Sequence, residues 1–66
     1  MRSRIYGICR ACGMNPARLA EKAKITRRVL DKYEANGLEH AQLSTVARIA
    51  KALGCHIEDL FEEEDG

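Results

Sequence analysis

Sixty-six residues, 45% apolar and 32% charged with a net charge of +1, describe one small domain whose core leaves little spare stability. No apolar run approaches the roughly 20 residues of a membrane helix. The opening MRSRIYGIC is basic but lacks a continuous apolar core, so no signal peptide is expected and the expected location is the cytoplasm.

Helical spacing recurs along the chain, and no long stretch alternates polar and apolar residues. Ile5, Ile8, Cys9 and Cys12 fall on one helix face, with Ser3 as a candidate cap and Gly13 as a stop. Asn15–Pro16 is a helix start: the Asn side chain accepts from free N–H groups, and Pro suits the first turn. Leu19, Ala20 and Ala23 give that second helix a thin apolar face, and Lys24–Ile25 makes a tight turn. Thr26 is a good cap for a third helix with Val29, Leu30 and Tyr33 inward. Asn36–Gly37 is expected to end it by the left-handed route.

The fourth helix carries Leu43, Val46, Ile49, Ala50 and Leu53 at helical spacing, and Gly54 closes it. His56–Phe61 reads as a last short helix, with His56 at its cap and Ile57, Leu60 and Phe61 facing inward. The tail 62–66 is acidic and expected to fray. The expectation is therefore an all-α, compact five-helix single domain over residues 1–66, with a short basic arm at residues 2–3.

The small net charge hides a strong asymmetry. Residues 1–33 hold nine Lys/Arg against two acids, a net +7, whereas residues 34–66 hold two against eight, a net −6. The first half suits a polyanion and the second repels one, which predicts an oriented approach. Arg27, Arg28 and Lys32 fall on one side of the third helix, opposite its apolar stripe. The DNA major groove accepts such a helix.

The run LAEKAKITRRVLDKYEANG followed by LSTVARIAKALGCHIEDLF resembles the Cro and lambda-repressor-like (XRE-type) helix-turn-helix family over residues 4–61. The matching pieces are Leu19–Ala20, Ile25–Thr26, Glu34 before Asn36–Gly37, and AKALG followed by an apolar–acidic–acidic–Leu–Phe ending. The resemblance implies a five-helix lambda-repressor-like domain with the helix-turn-helix at helices 2–3, acting as a homodimer on a palindromic double-stranded DNA operator. It also implies a transcriptional regulator, a repressor, reading bases with Arg27, Arg28 and Lys32. Arg can bridge guanine O6 and N7, so a G-containing half-site is expected. Asn15, Thr26, Asn36, Arg2 and Arg4 are the candidates for backbone contacts. Ile57, Leu60 and Phe61 are the candidate dimer surface.

The chain departs from the family pattern at several points. Pro16 stands where the family often has a phosphate-touching Gln, and Lys24 where the turn often has Gly. Cys9 aligns with an Arg that usually pairs with the acid at Glu34, which leaves the partner of Glu34 open. The loop Ala35–Gln42 is about one residue longer and carries Glu39 where basic residues are common.

Other constellations carry less. Cys9-x-x-Cys12 with Cys55–His56 supplies four zinc-ligand types, but Cys55–His56 lacks ligand spacing and Cys9 and Cys12 sit where a core is needed. These cysteines read as core thiols, with metal or redox sensing as the alternative. His40 reads as a solvated loop residue, with a phosphate contact as its other role. No Ser-His-Asp order, phosphate-binding glycine loop or HExxH is present, so neither an enzyme nor a cofactor is expected. The alternative function from another class is a protein-interaction module, such as an antitoxin, docking through the acidic half.

Overall fold

The computed structural model describes residues 2–62. Four α-helices form: α1 (Ile5–Ala11), α2 (Pro16–Ala23), α3 (Arg27–Asn36) and α4 (Leu43–Leu53). A single 3-10 turn, Ile57–Leu60, follows α4. Two-residue strands β1 (Arg2–Ser3) and β2 (Phe61–Glu62) pair antiparallel, with Arg2 opposite Glu62 and Ser3 opposite Phe61.

The five-helix, all-α expectation is thus corrected at both ends. The fifth helix is too short to propagate, because only four residues lie between the His56 cap and the strand. Phe61, expected inward on that helix, is half-buried in β2. The arm expected at residues 2–3 is β1, and of the tail expected at 62–66, Glu62 belongs to β2 while 63–66 lie outside the described residues.

The punctuation follows local chemistry. Asn15 Oδ1 accepts from the Arg18 N–H at 2.8 Å, and Pro16 takes the first helical position. Thr26 Oγ1 accepts from the Val29 N–H at 3.3 Å. Lys24 ends α2 with φ 58° and ψ 45°, a left-handed residue that is not glycine. Gly54 ends α4 at φ 70°, as expected. Gly37 also has positive φ, 81°, but its ψ of −174° turns the chain into an extended direction instead of the left-handed helical cap expected. His56 occupies the cap of the 3-10 turn, where Asp59 Oδ2 accepts from the His56 N–H at 3.1 Å.

The core joins Ile5 and Cys9 of α1, Leu19, Ala20 and Ala23 of α2, Leu30 of α3, Val46, Ile49, Ala50 and Leu53 of α4, and Leu60 of the 3-10 turn. Small residues at Ala20, Ala23 and Ala50 let α2 lie close against α3 and α4. Leu38, in the loop after α3, is also buried and was not expected there. Two residues expected inward are not. Cys12 caps the end of α1 and is exposed. Leu43 opens α4 with 71% of its surface exposed, because nothing in the described chain reaches over the first turn of that helix. No described helix is long and apolar enough to cross a membrane.

Candidate nucleic-acid interface

The turn from α2 to α3 sets the aim of α3. Ile25 N–H donates back to Ala20 O at 3.0 Å, closing α2, and Thr26 then starts α3 with an extended backbone. From that start a helix advances 100° per residue. Leu30 and Glu34 therefore share the inward side, and Arg28, Lys32 and Asn36 share the outward side. The burial agrees: Leu30 is fully buried, Glu34 is half-buried, and Arg28, Lys32 and Asn36 are exposed. Arg27, seven residues before Glu34 and so within about 20° of it around the axis, lies on the Glu34 edge of the inward side and is exposed.

Two hydrogen-bonded groups hold the back of α3. Glu34 Oε2 accepts from Ser3 Oγ at 2.8 Å and from the Tyr6 N–H at 3.4 Å. Ser3 Oγ in turn accepts from the Ile5 N–H at 3.2 Å. Ser3 was expected as the cap of α1; Arg4 holds that position instead, and Ser3 serves the helix start one residue earlier. The partner of Glu34 is thus a hydroxyl and the first-turn N–H of α1, where the positive end of the helix favours a carboxylate. Sequence reasoning missed this pair, although a Ser just before a helix was a signal for a free acceptor-seeking hydroxyl.

The Tyr6 hydroxyl also reaches α3. It hydrogen-bonds Asp31 Oδ1, and Arg27 Nε donates to the same oxygen at 3.3 Å. Burial first, then the Asp31 bond, raises the Tyr6 phenol above its ordinary range. Chiefly the Tyr6 hydroxyl holds the Asp31 carboxyl below its ordinary range, with Arg27 adding to the effect.

The residues expected at the phosphate backbone are spread more widely. Asn15 and Thr26 stand at the starts of α2 and α3, both exposed. Each uses its side-chain oxygen to cap its helix, and each still carries a donor, the Asn15 amide or the Thr26 hydroxyl hydrogen. Asn36 lines a groove of about 670 Å³ with Lys32, Tyr33, Gly37, His40 and Gln42. Arg4 lies 3.8 Å from Glu62, and Arg2 is tied into β1, so neither forms a free arm.

The expected dimer surface divides. Leu60 is fully buried within its own protomer and offers no contact area. Ile57 and Phe61 are half-buried and line an apolar groove of about 130 Å³ with Leu38, Ala41, Leu43 and Val46. Among the described residues, no group of three or more metal-ligating side chains converges. Cys9 is buried with its thiol donating to Met14 O at 3.0 Å, and Cys55 is half-buried.

The chain matches the Cro/C1-type HTH DNA-binding domain over residues 4–66. It belongs to this family. The matched residues include all four α-helices, the 3-10 turn and β2, and the family implies DNA as the partner. No curated protein matches the chain.

Proposed function

We propose that this Cro/C1-type domain is a sequence-specific transcriptional repressor that reads the major groove with α3. The observation that carries the reading is the pairing of a capped start with a bolted back. Thr26 fixes where α3 begins, while Leu30 and Glu34 prevent it from rolling. Arg27, Arg28 and Lys32 are thereby presented from one edge and face of a helix that cannot turn them inward.

In this arrangement Arg28 and Lys32 enter the groove together, and Arg27 reads from the first turn. Asn15 and Thr26, with the positive ends of α2 and α3, meet phosphates on one side. Asn36 and His40 meet them on the other, across the groove that they line with Lys32. The net +7 of residues 1–33 favours the approach of this half to DNA.

The operator is palindromic and the protein binds it as a homodimer. The supporting feature is Leu43, a protruding apolar side chain beside an apolar groove. A knob next to its own hole is self-complementary about a two-fold axis. Half-sites then lie about 34 Å apart on one face of the duplex.

The test is enrichment of bound sequences from a pool of random duplex DNA. An inverted repeat with guanine in each half-site is expected. Replacing both Arg27 and Arg28 with Ala is expected to abolish enrichment while leaving the helical spectrum intact. Enrichment of the same repeat by that double variant would refute α3 as the reading element.

A further inference from the structure

Asp31 is an acid on the helix that the proposed reading turns toward a polyanion, which needs an explanation. Its Oδ1 gathers two donors, the Tyr6 hydroxyl from α1 and the Arg27 Nε one turn earlier on α3. The Arg27 and Asp31 side chains are 52% and 55% exposed, so neither is needed for the core. Tyr6 is anchored independently, because its own N–H donates to Glu34. The Tyr6 ring therefore reaches Asp31 from a fixed base, and Asp31 holds Arg27 through Nε, with the Tyr6 hydroxyl also against the guanidinium.

A guanidinium has five N–H donors in a rigid fork. Engaging Nε–H with Asp31, with the Tyr6 hydroxyl also against the guanidinium, removes the side-on mode of binding through Nε and leaves end-on binding through the Nη pair as the mode for a base. That pair spans the O6 and N7 acceptors of guanine. A carboxylate beside the arginine also opposes a swing onto phosphate, since that swing would leave an unpaired acid in the groove.

Resting on the reading of α3 as the base-reading helix, we propose that Tyr6 and Asp31 are positioning residues that confine Arg27 to an end-on contact with guanine. Tyr6 lies on α1, outside the helix-turn-helix, and so acts on base choice without approaching a base. Asp31 trades affinity for selectivity: it lowers attraction to any DNA while sharpening the preference of Arg27. Asp31 is a carboxylate at neutral pH, and its Oδ1 accepts from both the Tyr6 hydroxyl and the Arg27 Nε–H.

The experiment compares base preference at each operator position for the full chain and for Arg27→Ala, Asp31→Asn and Tyr6→Phe, by selection from random duplex DNA. Arg27→Ala is expected to erase the guanine preference at one position of each half-site. Asp31→Asn and Tyr6→Phe are each expected to weaken preference at that same position by about tenfold, within the range one bidentate contact supplies, and to leave the others unchanged. Asp31→Asn should also tighten binding to unrelated DNA and steepen its salt dependence, with a slope larger by up to about 0.9 as Arg27 moves onto phosphate. Tyr6→Phe changes no charge, so a loss of preference in that variant cannot come from charge alone. The proposal is overturned if Arg27→Ala erases the preference while Asp31→Asn and Tyr6→Phe keep it, which leaves the reading by α3 standing. Equal weakening at every position would assign Tyr6 and Asp31 a merely structural role and also overturn it. An unchanged profile in Arg27→Ala would instead overturn the base-reading role of Arg27, and the proposal with it.

Discussion

Ser3 Oγ and Glu34 Oε2 lie 2.8 Å apart although 31 residues of chain separate them. This bond ties β1 to α3, and the Tyr6 N–H adds a second bond to the same oxygen. Because Glu34 is half-buried, removing it strands both donors in partial burial. Glu34→Ala is expected to cost about 1–3 kcal/mol, a large share of the stability of so small a domain. Urea unfolding followed by circular dichroism checks this, with the midpoint falling at constant slope.

Lys24 holds φ at 58° in the turn between α2 and α3. A side chain there crowds the following carbonyl, at a cost of about 1–2 kcal/mol that glycine avoids in part by its own entropy loss. Lys24→Gly is expected to raise stability by about 0.5–1 kcal/mol, or a few degrees in Tm. Differential scanning calorimetry gives the sign directly.

Tyr6 and Asp31 make opposite predictions at the two ends of the pH scale. The Asp31 carboxyl is depressed below its ordinary 3.8, so its contribution is present above that value and is lost as pH falls through the folded pKa. The Tyr6 phenol is raised above its ordinary 10.0, so its contribution is present below that value and is lost as pH rises through the folded pKa. In a Tyr33→Phe background, which leaves Tyr6 as the remaining tyrosine, ultraviolet titration is expected to show ionisation above pH 10. Asp31→Asn should lower that midpoint without restoring 10, because burial, the larger cause, remains.

The three thiols should react at different rates. Cys12 is exposed, Cys55 is half-buried and Cys9 is buried. Burial raises the Cys9 and Cys55 thiols, and the thiolate is the reacting form. An aromatic disulfide reagent is expected to label one thiol quickly, lost in Cys12→Ser, and all three only in urea.

Leu43 separates folding from assembly. With 71% of its surface exposed, it contributes little to the protomer, so at concentrations where the parent is monomeric Leu43→Glu is expected to leave the unfolding free energy within about 0.5 kcal/mol of the parent. On the proposed dimer the same change sets two carboxylates near the two-fold axis. Sedimentation equilibrium should then show a monomer where the parent shows a dimer, and an identical mass for both would refute this surface.

What the sequence determined by itself was everything carried by neighbours a few residues apart. Asn15–Pro16, Thr26 and Gly54 act on backbone groups within one turn, so helix starts and stops could be read directly. The 3.6-residue spacing of Leu19, Ala20, Ala23, Val46, Ile49, Ala50 and Leu53 likewise located most of the core, and the motif order carried the family. Tertiary structure alone decided what depended on segments far apart in the chain. Two-residue strands have no period to read, and β1 meets β2 only because folding brings residues 2–3 beside 61–62. The same closure placed Ser3 against Glu34 and buried Leu60, removing it from the surface. It also left Leu43 uncovered, since spacing names a helix face but not whether another element packs upon it. The Tyr6–Asp31 bond belongs to this second class: it joins α1 to α3, and no local pattern records a contact across 25 residues, whereas its Arg27–Asp31 neighbour is a pair one turn apart within α3.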